Sequence, residues 1–387
     1  MEFQKALDNL QNAKRKQKKR QKRNMLIGVP IGVALGLAIS FFDNLVLKKY
    51  EGGTLWLFLM LLFTLPIQLI LHEMGHLIFG LFTGYRFCSF RVFSFAILKK
   101  DGKLCFGRYR VPGTLGQCLV IPPIGDAAIK TTPLLLGGVI VNSVTALLSF
   151  LPLLLFFNSL APIFRFFLIG MIFWGVALAL SNGIPQKNGA IANDGYHAKV
   201  LPKDKAARHV FFHQLRISAA VTEGKRLCEM PSEWFATPKD QPIDPLSATL
   251  TRMLAEREMD LGKFDAAKEM LVDLANRGED LPEFQLASVL CELLYLEMVG
   301  SHRLDVVETL RCELTHYLKI THNSLTALRI EMTYHYLFTG DMEKLDKLQK
   351  RFESLAKRIP FAGEVARERL LAAYPESIYR AWRDACG

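Results

Sequence analysis

The stretch "LPIQLILHEMGHLIFGLF", residues 65–82, places two histidines and a glutamate inside an otherwise apolar run. On an α-helix His72 and His76 lie one turn apart on the same face, so their imidazoles can share one metal ion. Glu73, beside them, can then act as a general base toward a water molecule. Ionisable groups are costly inside a membrane span and commonly functional there. The stretch therefore predicts a metal site in a membrane-spanning helix.

Apolar runs long enough to span a membrane occur four times in the first half of the chain. A spanning helix needs about 20 apolar residues. The four runs cover roughly residues 25–47, 55–83, 132–157 and 161–182, whereas the sequence after about residue 198 has the composition of a soluble protein. This pattern predicts an all-α membrane protein with about four transmembrane helices, joined to a soluble helical domain.

The positive charge of the chain is concentrated near its N-terminus. The formal net charge is +11, and "KRKQKKRQKR", residues 14–23, carries eight positive charges directly before the first apolar run. Interleaved aromatic residues and a nucleic-acid fold signature are both missing there, so we do not expect nucleic acid as a partner. Such a block typically holds a segment at the anionic cytoplasmic leaflet. We predict a basic cytoplasmic segment (1–24), a transmembrane domain that contains the metal site (25–197) and a cytoplasmic helical domain (198–387).

The distribution of Lys and Arg predicts the orientation in the membrane. The link 85–131 contains eight of these residues, whereas the link before the second run has only Lys48 and Lys49. By the positive-inside rule both termini and the link 85–131 are cytoplasmic. If the second helix enters near Leu55, a rise of ~1.5 Å per residue puts His72 about 25 Å deep in a ~30 Å core, near the cytoplasmic face. We expect a multi-pass protein of a bacterial plasma membrane.

The link between the second and third runs also carries strand patterns. Two β-rich stretches, "RFCSFRVFSFAIL" and "KLCFGRYRV", flank Asp101-Gly102, which is a hairpin signal. "PGTLGQCLVIPP" follows, and we interpret it as a short strand along the membrane edge. Non-helical backbone at that depth requires protein cover or a watery cavity. The link therefore predicts a small β-hairpin region.

The C-terminal half shows helical periodicity with regularly spaced glycines. In three stretches a helix ends near Gly262, Gly300 or Gly340 and another amphipathic helix follows. The spacings of 38 and 40 residues are close to the period of tetratricopeptide-like helical hairpins. We predict an α-helical solenoid-like domain, with an irregular helical domain as the alternative.

A catalytic zinc site needs a third protein ligand and a fourth position for water. The sequence after HEMGH lacks the third histidine of the HExxHxxGxxH pattern, and the seven cysteines form no CxxC pair. Asp194 follows the break that Asn182 and Pro185 make at the cytoplasmic end of the fourth run, at the depth of the histidines. His197 is a rival ligand and Asp126 a weaker one. A solvated turn is the alternative interpretation of Asp194.

Three pieces, "HEMGH", "LLLGGVIVNSVTALL" and "NGIPQKNGAIANDG", together resemble the site-2 protease family of intramembrane zinc metalloproteases. They match its zinc helix, its small-residue and asparagine segment, and its asparagine-proline and aspartate-glycine motif, over residues 55–197. The resemblance implies that Asp194 is the third zinc ligand and that Asn142 lines the site and helps polarise the scissile carbonyl. Asn142 as an interhelical hydrogen-bonding residue is the alternative. Pro185 and Asp194 are further apart than in the family motif, and no PDZ-like insertion is visible.

Together these features predict a zinc endopeptidase that acts within the membrane. We expect one Zn²⁺ per chain on His72, His76 and Asp194, with Glu73 and Asn142 as catalytic residues. Its substrates would be membrane-spanning or membrane-associated proteins or peptides, cut near the cytoplasmic face, and the helical domain would bind a cytoplasmic protein or peptide partner. The alternative is a membrane-anchored scaffold or sensor with a vestigial metal site. A hydrolase of a non-peptide substrate is a third hypothesis.

Overall fold

The structure is a computed structural model of the 387-residue chain. It describes residues 3–22, 25, 52–111, 114–123, 130–186, 192–237 and 243–386. The chain divides into two compact units. The apolar unit comprises Lys16–Phe93 and Val111–Lys205, and the helical unit comprises Met1–Arg15, Ser94–Arg110 and Ala206–Gly387. The helical unit thus includes two segments from the first half of the sequence.

The described elements are mainly helices, with four short strands. In chain order they are α1 (4–22), α2 (Gly53–Phe82), β1 (Arg86–Val92), β2 (Phe95–Lys100), β3 (Lys103–Arg108), β4 (Gly116–Ile121), α3 (Thr131–Phe156), α4 (Pro162–Gly183), α5 (Asp194–Val200), α6 (Lys205–Thr222), two 3₁₀ turns (Leu227–Glu229 and Ser232–Phe235), α7 (Pro245–Asp260), α8 (Phe264–Arg277), α9 (Glu283–Val299), α10 (Leu304–Ile320), α11 (Leu325–Tyr334), a π turn (His335–Thr339), α12 (Met342–Ala356) and α13 (Ala362–Cys386). This content agrees with the predicted helical fold and its small β region.

Three helices of the described part, α2, α3 and α4, are long and apolar enough to cross a membrane, with 30, 26 and 22 residues. They confirm three of the four predicted apolar runs as helices. The first predicted run, 25–47, lies outside the described residues apart from residue 25. Large apolar side chains cover their outward faces, including Leu62, Leu147 and Phe164, as expected for contact with lipid.

Glycines allow α2 and α3 to pack at very short range. A Cβ built on Gly75 would lie 2.3 Å from the carbonyl oxygen of Gly137, and one built on Gly137 would lie 2.4 Å from that of Gly75. Small residues at such crossings let membrane helices approach closely. Because Gly75 lies just before His76, this crossing brings α3 against the two histidines.

Strands β1 and β4 form the antiparallel pair of the apolar unit. Their register runs from Arg86 opposite Ile121 to Val92 opposite Gly116, with one irregularity between Phe87 and Ser89. Both strands pack against α2. The strand predicted within "PGTLGQCLVIPP" is confirmed as β4. The first predicted β-rich stretch is split instead, because β1 ends before a turn at Phe93, whose φ is +54°.

Strands β2 and β3 form the predicted hairpin, within the helical unit. Phe95 pairs with Arg108 and Lys100 with Lys103. Asp101 and Gly102 close it with φ angles of +48° and +78°. A two-residue turn with positive φ at both positions matches the twist of the strands, which is why an Asp-Gly pair predicts it.

Helices α7 to α9 each pack against the next helix in sequence, α11 packs against α9 and α12, and α13 packs against α7, α9 and α11. Chain reversals occur at the expected glycines. Gly262 and Gly340 adopt φ angles of +76° and +66°, which glycine accommodates without strain, and α9 ends before Gly300. The predicted helix ends are therefore confirmed, whereas the stacking of these helices into a solenoid stays a prediction.

The start of the chain packs onto the helical unit. Phe3, Ala6 and Leu10 are buried in the same hydrophobic cluster as α8, α9 and α10. Asn9 donates a hydrogen bond to the carbonyl oxygen of Ala275 at 2.9 Å, and the ammonium of Lys14 lies 2.7 Å from the carboxylate of Glu313. The first turns of the predicted basic segment are thus an amphipathic helix with a protein-facing side.

Candidate metal centre

Three potential ligand atoms converge where α2, α3 and α5 meet. The Nε2 atoms of His72 and His76 lie 3.2 Å apart. Oδ2 of Asp194 lies 3.3 Å from the first and 3.4 Å from the second. Zn–N and Zn–O bonds of about 2.0–2.1 Å at tetrahedral angles require ligand atoms about 3.3–3.4 Å apart. The three separations therefore match three corners of one tetrahedral coordination sphere.

The other nitrogen of each imidazole contacts a carbonyl oxygen. Nδ1 of His72 lies 2.6 Å from the amide oxygen of Asn142, and Nδ1 of His76 lies 2.8 Å from the main-chain oxygen of Leu134. Because these oxygens only accept hydrogen bonds, each Nδ1 carries a proton and each neutral Nε2 presents a lone pair. Two lone pairs and a carboxylate oxygen then face one another at short range, an arrangement that a cation between them stabilises.

Asn142 is held in turn by Gln68. Its amide nitrogen donates to the side-chain oxygen of Gln68 at 2.6 Å and to the main-chain oxygen at 3.1 Å. The Gln68 amide nitrogen donates to the main-chain oxygen of Met171 at 2.9 Å. Gln68 and Asn142 are fully buried, so this chain of bonds fixes the His72 ring from all three long helices. Sequence reasoning missed Gln68, although it stands one helical turn before His72 in an apolar run.

Gly138 provides space for the His72 imidazole. A Cβ built at this position would lie 2.6 Å from Cε1 of His72. A side chain there would displace the ring from its place between Asn142 and Asp194. The glycine pair that the sequence singled out thus has two separate uses: Gly137 permits the helix crossing, and Gly138 accommodates a ligand.

Asp194 begins the short helix α5, and the residues on either side of it fix its position. The Asn193 side chain accepts a hydrogen bond from the Tyr196 amide and donates to the main-chain oxygens of Ser181 and Ile184, at 2.8 and 2.6 Å. A Cβ on Gly195 would lie 2.2 Å from the carbonyl oxygen of Gly183. Asn193 and Gly195 therefore fasten α5 to the end of α4. Asn193 caps a helix, whereas the alternative interpretation of Asp194 placed it in a solvated turn.

The charge on Asp194 suits a cation site. Burial alone would raise the pKa of this carboxyl group, but with no cation bound, a proton on Nε2 of His72 or His76 can be donated to the carboxylate, and this hydrogen bonding lowers the pKa below its usual range. The carboxylate is therefore ionised at neutral pH, the form that binds metal. A proton held by the imidazoles would compete with a metal ion, so metal affinity should fall as the pH falls.

Glu73 lies on the side of α2 that meets β4. Its carboxylate is buried, and a Cβ on Gly116 would lie 2.3 Å from its Oε1 atom. The buried Arg91 donates hydrogen bonds to the main-chain oxygens of Phe93 at 2.6 Å and Gly116 at 3.4 Å, and so holds the start of β4 in place. Sequence reasoning missed Gly116 and Arg91, because their partners are distant in the chain.

The other predicted site residues are His197, Asp126 and Asn142. Among the described residues, the group whose ligand atoms all lie within 4.8 Å of one another consists of His72, His76 and Asp194, without His197. Asp126 lies outside the described residues. The hydrogen bond to His72 gives Asn142 an orienting role, and its action on a substrate carbonyl stays a prediction.

No family model, curated protein or solved structure matches this chain. Two imidazoles on α2 and one carboxylate on α5 form a group that could hold a metal ion, and α2, α3 and α4 are helices that could span a membrane.

Proposed function

We propose that this protein is an intramembrane zinc endopeptidase of the site-2 protease type. The observation that carries the proposal is the triangle of His72 Nε2, His76 Nε2 and Asp194 Oδ2, with sides of 3.2 to 3.4 Å. Two nitrogens and one oxygen from the protein, with one position left for water, form the donor set of catalytic zinc sites. We expect one Zn²⁺ per chain.

Bound zinc would supply a Lewis acid that polarises a peptide carbonyl and makes a water molecule acidic. Glu73 adjoins the ligand His72 in the sequence and is buried, so it can accept a proton from that water and deliver it to the leaving amine nitrogen. Asn142 and the main-chain oxygen of Leu134 keep both imidazoles in the tautomer that binds metal.

The proposed substrates are membrane-spanning or membrane-associated polypeptides, cut near the cytoplasmic face. A substrate helix must unwind before its amides can react, and pairing with an edge strand would hold it extended. In the described part of the chain β4 pairs with β1 alone, and its first residue, Gly116, touches Glu73. A polypeptide paired along β4 would therefore run past the proposed base.

We also propose a fourth span at 25–47 and cytoplasmic termini. The helical unit would bind a cytoplasmic protein or peptide. In support, a groove of about 280 Å³ lies between α10, α11 and α12, and its lining includes the apolar residues Leu328 and Leu348. Lys319 and Arg351 line it as well, which suits an acidic segment. Charge reversal of both residues should weaken cleavage of a substrate recruited through this groove but not of a generic one.

The experiment that tests the proposal compares the membrane proteomes of cells with the wild-type protein and with Glu73→Gln. We expect at least one membrane polypeptide to accumulate uncut in the variant. Met74→Ala is the matched control, because this neighbour is partly exposed on the same helix and takes no part in the site. If partner-dependent function survives Glu73→Gln unchanged and no polypeptide accumulates, the scaffold hypothesis is correct instead.

A further inference from the structure

The two faces of the β2–β3 hairpin have opposite environments. The inner face packs on the helical unit: Leu98 is fully buried, Lys100 donates a hydrogen bond to the main-chain oxygen of Pro360, and Gly107 lies under the Pro360 ring. Just after β3, the Tyr109 ring packs edge-on against Phe361, with 4.8 Å between centroids. One side of the hairpin is therefore committed to the connection between α12 and α13.

The outer face is apolar and exposed. The strand register places Phe95, Ile97, Leu104 and Phe106 on this side, because alternate residues of a strand share a face. Phe95 is 68% exposed, Leu104 65% and Phe106 88%. Exposed apolar patches of this kind mark a contact surface on a soluble domain.

Basic residues surround this apolar face. Lys99 and Arg108 share it, and the Arg108 guanidinium lies 5.4 Å from the Phe95 ring centroid. Residues 95–110 contain five Lys or Arg residues and one acidic residue, Asp101. Aromatic and aliphatic side chains within a basic border fit the interface of an anionic lipid leaflet, where apolar groups enter the acyl boundary and cations meet phosphates.

We propose that the β2–β3 hairpin binds the surface of an anionic membrane and anchors the helical unit to it. The charge of the border selects lipid over an apolar protein partner, and the same chain carries three helices that could span a bilayer. In sequence β2 begins three residues after β1, a strand of the apolar unit, so a bilayer that holds that unit is within reach. The proposal holds whether or not the protein is a peptidase.

Photo-crosslinking in lipid nanodiscs tests this surface on the full-length protein. The photoreactive residue p-benzoylphenylalanine replaces Phe106 on the outer face or, as the matched control, the exposed Cys105 on the inner face. The nanodiscs contain phosphatidylglycerol and phosphatidylcholine in equal amounts. Intact-mass analysis after irradiation identifies each adduct.

We expect a phospholipid adduct from position 106 at several times the yield from position 105, enriched in phosphatidylglycerol over its share of the bilayer. Lys99→Glu with Arg108→Glu should remove this enrichment. Equal lipid yields at the two positions would overturn the proposal. So would an adduct at position 106 with a second copy of the chain or another polypeptide in cell membranes. Unchanged thermal unfolding of each variant confirms that it is folded.

Discussion

Each unit of this protein buries a polar cluster, and the two clusters are built differently. In the apolar unit, His72, His76 and Asp194 turn electron-rich atoms toward a common point. In the helical unit, Arg329 lies between Glu292 and Glu368, with nitrogen–oxygen distances of 2.8 Å to each. The first cluster consists of two imidazoles and a carboxylate, whereas the second pairs a guanidinium group with carboxylates.

The buried cluster of the helical unit consists of paired groups of opposite charge. Arg367 contacts Glu256 at 2.8 Å and Glu368 at 3.0 Å, so that α7, α11 and α13 are joined through these groups. Burial alone would raise the pKa of Glu368, but the guanidinium groups of Arg329 and Arg367 lower it, and the carboxylate stays charged. Such a network holds helices in one arrangement.

A buried polar cluster that binds a ligand differs from one that stabilises the fold. Both are costly to desolvate, so burial alone does not distinguish them. The direction of the lone pairs distinguishes them, because donors and acceptors alternate in the helical unit's cluster, whereas only acceptors converge in the apolar unit's cluster. Substitutions should therefore change chemistry without stability in the first cluster, and stability without chemistry in the second.

The largest effect is expected for Glu73→Gln. The substitution keeps the shape of the side chain but removes the base, so cleavage should fall about 10²–10⁴-fold. Zinc content and thermal unfolding should match the wild type, because Glu73 is not among the three converging ligands. Cleavage near the wild-type rate would contradict the proposed base. Equal loss of zinc would show that Glu73 is itself a ligand.

Glu368→Ala should give the largest effect on stability. Removing this carboxylate leaves Arg329 and Arg367 buried with fewer counter-charges, a change that costs about 3–5 kcal/mol. Zinc content should be unchanged. Glu353→Ala is the control, because its pair with Arg369 is nearly half exposed and should contribute at most about 1 kcal/mol. Thermal and denaturant unfolding measure the stability of both variants. Equal losses of stability in Glu368→Ala and Glu353→Ala would contradict the supporting role of the buried cluster.

Asn142→Ala should have a smaller effect, confined to the metal. Loss of the hydrogen bond to His72 should weaken zinc affinity about 10–100-fold, the usual effect of removing a group that orients a ligand. Competition with a zinc chelator measures the affinity. Ser143→Ala is the matched control on α3, since its hydroxyl bonds only within its own helix, to the main-chain oxygen of Val139. An affinity unchanged by Asn142→Ala would assign this residue to helix packing alone.

Sequence periodicity predicted the local parts of the site and the fold. The i, i+4 spacing placed His72 and His76 on one face, and Asp101-Gly102 fixed the hairpin turn. The depth of Asp194 made it a candidate beside His197 and Asp126, and the family resemblance selected it, because no local rule brings it to α2. Gln68, Gly116 and Asn193 were missed because their roles depend on partners that packing alone brings together. Phe3, Ala6 and Leu10 recur at helical spacing, which predicts an apolar helix face. The neighbouring positive charges led instead to the prediction of a segment at the membrane surface.

The most direct test of the account is the identity of the metal ligands in the purified full-length protein. Metal analysis should find one zinc per chain, and X-ray absorption should show two imidazoles and an oxygen ligand at about 2.0–2.1 Å, without sulfur at about 2.3 Å. Zinc should be strongly reduced in His72→Ala and in Asp194→Ala. Full retention of zinc in Asp194→Ala would move the third ligand to His197 or Asp126, and sulfur ligation of the bound zinc would contradict the site.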